Sequence, residues 1–181
     1  MHVNKHLIWL VPLALAGCKK NAVEAQNASI EEVAEKMKES GVAQTSLHPG
    51  QWQATVKLDN ISAPGAPPEL EKNMRSSIGQ ARTMLECLTE ENAKKPFERF
   101  VEGMNKDCKY DHISMGNGKI DSKLVCTTDG LTRTMTMQGA YSPESYKLQM
   151  TTEATGGPVK RVNMTMTLDA KRVGECPKKQ G

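Results

Sequence analysis

From Cys108 to Leu168, apolar and polar side chains alternate, and turn residues interrupt the alternation at short intervals. Successive side chains of a strand point to opposite faces, so this pattern suits half-buried strands and not helices. Leu131, Met135 and Met137 alternate with Thr132, Thr134 and Thr136. Val162, Met164, Met166 and Leu168 alternate with Asn163, Thr165 and Thr167, and Tyr146, Leu148 and Met150 form another such segment. The interruptions are Gly116-Asn117-Gly118, Asp129-Gly130, Ser142-Pro143-Glu144-Ser145 and Thr155-Gly156-Gly157-Pro158. The first is the clearest hairpin signal, because Asn and Gly accept the positive φ of a tight turn. Five consecutive strands with short connections predict an antiparallel meander. The expected fold is mainly β (α+β), a curved sheet or small open barrel with short N-terminal and inserted helices. One face should be wet and Thr-rich, the other lined by Met, Leu and Val. A slip of one residue would exchange them.

Upstream, Trp52, Ala54, Val56 and Leu58 also alternate with polar residues and predict a strand. Ile61 to Pro68 reads as a loop, Glu69 to Ile78 as a short helix and Arg82 to Leu88 as a strand. Thr89 is a good N-cap for a helix-prone stretch that passes Pro96 and continues through Phe97, Phe100, Val101 and Met104. Near the N-terminus, Ser29-Ile30-Glu31-Glu32 forms a capping box. Ile30, Val33, Ala34 and Met37 share a helical face, and Gly41 stops the helix. This helix is expected to pack on its own domain, with a place near the membrane as the alternative.

Leu7 to Ala16 is an apolar run behind a polar start containing Lys5, and it ends in Leu15-Ala16-Gly17-Cys18. A membrane-spanning helix needs about 20 apolar residues, so this run suits a signal peptide instead. Ala14-x-Ala16 would serve an ordinary secretory cut. Leu15-Ala16-Gly17-Cys18 instead resembles the lipobox of bacterial lipoproteins, where the Cys thiol is acylated before cleavage. That resemblance implies a signal peptide over 1–17, lipidation at Cys18 and anchoring through its acyl chains. With Lys19 in the second place, it implies a periplasm-facing position at the outer membrane. The segmentation that follows is a flexible tether over 18–28, a short amphipathic helix and linker over 29–47, a disulfide-bridged β domain over 48–177 and a tail over 178–181.

Beyond Cys18 lie Cys87, Cys108, Cys126 and Cys176. An even set of cysteines behind an export signal reads as a disulfide framework. Their gaps do not match the close C-x2-4-C spacing of zinc sites. Four cysteines permit three connectivities; sequence order and hairpin logic favour Cys87–Cys108 with Cys126–Cys176. The formal net charge is +3 with charges interspersed, and the Lys19-Lys20 and Lys178-Lys179 clusters sit at the ends of the expected mature chain. A nucleic-acid binder would carry a basic stripe with interleaved aromatics, so nucleic acid is not an expected partner.

Several short signatures recur in order: Pro49-Gly50-Gln51-Trp52, Cys87-Leu88-Thr89-x-Glu91, Cys108, Cys126, Gly139, Tyr141-Ser142-x-Glu144-Ser145-Tyr146 and Lys171-Arg172-Val173-Gly174-Glu175-Cys176-Pro177. Together they resemble a bacterial family of exported proteins, the domain of unknown function numbered 3617, over about residues 48–177. The resemblance implies a cysteine-bridged exported domain. It implies no activity and no ligand.

The residues offer few candidates for chemistry. Met135/Met137 and Met164/Met166 are paired on predicted strands. If those strands were neighbours, four thioethers could converge into a soft site for Cu(I). The competing role is core filling, which Met performs well in a chain with little aromatic bulk. His48 and His112 stand without a nucleophile in reach and read as edge or surface residues. On a strand, Cys108 and His112 would lie about 13 Å apart. No Gly-x-Ser-x-Gly, His-Glu-x-x-His or phosphate-cradling loop is present, and no pair of acids has a spacing that argues for a carboxylate dyad. No catalytic residue and no cofactor are expected. The sequence therefore points to a non-enzymatic binding or structural role in the envelope. The partners expected are the membrane, an envelope protein or an apolar ligand held by the sheet.

Overall fold

The computed structural model describes residues 22–42, 47–78, 81–94, 107–156 and 161–177. The segment expected as a signal peptide, Cys18, the expected tail and the stretch holding Phe97, Phe100, Val101 and Met104 lie outside the described residues. One antiparallel sheet organises the described chain, in the order β1-β4-β5-β6-β7-β8-β2-β3. It is open, with β1 and β3 at its edges. The five-strand meander is present: β4 (Cys108–Gly116), β5 (Lys119–Thr128), β6 (Leu131–Ser142), β7 (Ser145–Thr155) and β8 (Arg161–Gly174). Its two tightest turns use the residues that tolerate left-handed backbone, Asn117-Gly118 at φ 51° and 74° and Asp129-Gly130 at φ 50° and 76°. Beyond the meander, β2 (Gly50–Ser62) adds to β8, and β3 (Arg82–Leu88) adds to β2.

At the other edge, the N-terminal segment departs from the expectation. Ala22–Ser29, expected as tether as far as residue 28, is strand β1, which pairs with β4 from Ala22 opposite Gly116 to Ser29 opposite Lys109. Its Val23, Ala25 and Ala28 are buried. Burial of three small apolar side chains and a ladder of main-chain bonds hold it in the sheet. Its strict alternation is lost at Asn27, which takes φ 51°, so inward residues switch from odd to even numbers. Helix α1 (Ile30–Ser40) follows at once. The Ser29 hydroxyl accepts from the Glu32 N–H at 3.1 Å, and Gly41 closes the helix at φ 68°. Val33 and Met37 pack onto the sheet, as expected of a helix belonging to its own domain. Among the described residues, the sheet therefore includes Ala22–Ser29, well upstream of His48.

The remaining helices are α2 (Pro68–Ile78), beside β2, and α3 (Glu90–Ala93), capped by Thr89. Three buried clusters lie along the inner face. Cys108, Tyr110, Ile113 and Leu124 pack with β1 and α1 in the first. Met115, Ile120 and Leu148 pack with Val23 and Val42 in the second, and Trp52, Ala54 and Ala170 form the third. The outer face of β6, β7 and β8 carries the threonines in rungs, such as Thr136, Thr151 and Thr165. Thr151 and Thr165 hydroxyls are 3.2 Å apart.

Candidate functional site

The disulfide framework exists, but with pairing other than the favoured one. Cys87 joins Cys176 and Cys108 joins Cys126. Cys108 and Cys126 face each other across the β4–β5 hairpin, with Cα atoms 4.0 Å apart. Cys87 lies near the end of β3, opposite Gln51 of β2, and Cys176 follows β8, whose Gly174 also pairs with Gln51. This second bridge thus spans β2 at one end of the sheet. Cys108 has no thiol to offer His112.

That same end holds an interlocked polar cluster. Arg172, on β8, donates from Nε to the Pro49 carbonyl at 2.7 Å and pairs with the carboxylates of Glu175 and Glu144. Its own N–H donates to the Glu144 carbonyl at 2.9 Å. Glu144 also meets His48 Nδ1 at 2.7 Å. The indole N–H of Trp52 donates to the His48 carbonyl at 3.0 Å, while its ring stacks on Tyr146 with centroids 5.6 Å apart. Gly50 is required where it stands. Its φ is 140°, and a Cβ there would lie 2.5 Å from both Arg172 Nε and the Gly174 carbonyl. Three motifs far apart in sequence, around Gly50, Glu144 and Arg172, therefore meet at one corner. The Arg172 guanidinium faces two carboxylates there, those of Glu144 and Glu175. Its geometry is that of a clasp for the start of β2.

A family described as a protein of unknown function, DUF3617, matches residues 47–176. The chain belongs to the DUF3617 family. No curated protein and no solved structure gives a significant match. In this DUF3617 member, β1 and α1 precede the matched stretch, yet both contribute to its core.

His112 sits on β4 beside a bulge at Asp111. Its ring nitrogens lie 3.2 Å from Asp121 Oδ1 and 3.3 Å from Asp111 Oδ2. The hydrogen bond to Asp121, then that to Asp111, raises the His112 pKa above its ordinary 6.5. The same contact with His112, helped by Lys123, lowers that of Asp111. Gln26 of β1 opposes His112, and Gln138 of β6 donates to Asp121 at 3.4 Å. His112, Asp111, Asp121 and Lys123 form a charged network at the surface of β4 and β5. A raised folded pKa stabilises the fold below the unfolded value and loses that effect as pH rises through the folded one. NMR titration of the His112 ring should therefore give a midpoint above 6.5, and Asp121→Asn should bring it down.

The paired methionines fall on β6 and β8, which are not neighbours, because β7 runs between them. The four thioethers therefore do not form the two-strand site that sequence suggested. Instead β7 supplies Met150. One rung reads Met137, Met150, Met166 and the next reads Met135, Thr152, Met164. Directly opposed residues have Cβ atoms about 4.5–5.5 Å apart, within mutual reach of Met side chains. These methionines are only half-buried. Met135 and Met137 touch the clusters beside α1 and β1, and the band continues over β7 and β8 toward Leu58 and Ile61 of β2. Among the described residues, no group of three or more His, Cys, Asp and Glu could hold a metal ion, and no helix is long and apolar enough to cross a membrane.

Proposed function

We propose that this protein is a lipid-anchored protein of the bacterial envelope that binds an apolar ligand along the methionine band of β6, β7 and β8. The carrying observation is the set of five half-buried methionines on two adjacent rungs of one sheet face. Thioether side chains are flexible and polarizable, so such a surface adapts to apolar partners of irregular shape. Two cysteine bridges fit an oxidising compartment. The lipobox at Leu15-Ala16-Gly17-Cys18 supplies the anchor. Two or more buried acyl chains hold a protein stably, where one holds it reversibly. The role is non-enzymatic: neither the Arg172 clasp nor the His112 network offers a group poised to attack a substrate.

The in-register row Met137, Met150 and Met166 favours a second reading, Cu(I) held by three thioethers. Leucine keeps the bulk of methionine without its sulfur, so substitutions at Met150 separate the two. The neutral fluorophore N-phenyl-1-naphthylamine serves as the apolar probe. Met150→Leu should bind it as wild type does, and Met150→Lys should bind at least about tenfold more weakly, since a charge in the band must be desolvated. Equal binding by wild type and Met150→Lys would remove the apolar-ligand reading. Cu(I) titration under reducing conditions tests the second: stoichiometric uptake lost in Met150→Leu would establish it, and uptake indifferent to that change would dismiss it.

A further inference from the structure

The geometry points to a membrane-contacting corner: the start of β1 and the Asn117-Gly118 turn rest against an anionic lipid surface. The inference rests on acylation of Cys18 as proposed above. Only Lys19, Lys20 and Asn21 separate Cys18 from Ala22, where β1 begins. Four residue steps span at most about 14 Å when fully extended. The acylated Cys lies at the boundary of the hydrocarbon core. The headgroup layer above that boundary is about 5–7 Å thick, half the difference between the core and the whole bilayer. Ala22 therefore stands no more than about 7–9 Å above the headgroups even on a taut chain.

The leash cannot lengthen at little cost by peeling β1 away. Val23 is 2% exposed and Ala25 8%, and the strand pairs with β4 along its whole length. Ala22 opposes Gly116, so the β4–β5 turn is carried down with it, one strand spacing of about 4.8 Å to the side. Lys19 and Lys20 belong to this leash, so the proposed contact brings them to the headgroups. Each basic residue held there contributes about 1 kcal/mol on an anionic surface. The rung through Ala22, Gly116, Lys119, Ala140 and Lys147 marks this end of the sheet, and the Arg172 clasp lies at the same end. The opposite turn, Asp129-Gly130, is a β5 length away, about 30 Å.

The test uses the full acylated chain in nanodiscs of phosphatidylethanolamine with a minority of phosphatidylglycerol and some lipid carrying a nitroxide headgroup. A fluorophore is placed at Lys119→Cys or at Thr128→Cys, the two exposed ends of β5. Quenching should be several-fold stronger at Lys119→Cys. A Gly/Ser insertion of about twelve residues between Lys20 and Asn21, with a root-mean-square span of about 19 Å, should erase most of the difference. Intact mass reads acylation separately. Equal quenching at both ends in protein whose Cys18 is acylated overturns the corner contact alone, whereas an unmodified Cys18 overturns the anchor and the contact together.

Discussion

Removal of the Cys87–Cys176 bridge by paired Cys→Ser substitution is expected to cost about 4–5 kcal/mol, and removal of Cys108–Cys126 about 3 kcal/mol. The order follows from the loops closed, with separations of 89 and 18 residues. A longer loop frees more unfolded-state conformations when it is cut. The native contacts act in the same direction. Cys108 and Cys126 face each other in a hairpin whose turn and core contacts remain without them. Cys87 lies near the end of an edge strand whose neighbour in the sheet is β2, and its bridge ties that edge to the chain leaving β8. For a domain of this size, each kcal/mol moves Tm by about 2–4 °C, so the first double variant should melt about 10–20 °C below wild type. Calorimetry under non-reducing conditions checks this. A greater loss from the Cys108–Cys126 pair would show that native packing around each bridge, not chain connectivity, governs their contributions.

The correct hairpin bridge was within reach of the sequence. A hairpin centred on Asn117-Gly118 sets Cys108 opposite Thr127, and a single bulge shifts the partner to Cys126; the structure has that bulge at Asp111. The second bridge was not legible, because it depends on β2 lying between β8 and β3, a long-range arrangement that no local pattern records. Local patterns were sufficient elsewhere. Turn residues with positive φ fix the meander, and Ser29 with Gly41 fixes α1. Strand β1 escaped notice because its alanines have weak strand preference and Asn27 breaks the alternation. Met150 stood outside any Met-x-Met pair, so its place between Met137 and Met166 emerged only from the register. The Arg172 clasp joins residues more than a hundred positions apart, and only the sheet order brings them together.

Gly139→Ala should be the most damaging single substitution in the meander, costing about 3 kcal/mol or more, at the upper end for overpacking. A Cβ on Gly139 would collide with the Lys147 carbonyl oxygen and come within 2.9 Å of Leu148 Cα. Both are backbone atoms of β7, so no side-chain rotation relieves the clash. A glycine inside a strand marks close backbone approach or a bend. Here it lets β6 and β7 close over Leu148, which is 3% exposed. Forcing the strands apart would open the cluster of Met115, Ile120 and Leu148 and disturb the adjacent rung of Met137, Met150 and Met166. Thermal melts should place Gly139→Ala about 6–12 °C below wild type. The exposed neighbour change Ala140→Ser should stay within about 0.5 kcal/mol. The naphthylamine probe should also bind the glycine variant more weakly at temperatures where it remains folded. An unchanged Tm would mean that β6 and β7 separate freely at this point, and the methionine band would then lack a rigid frame.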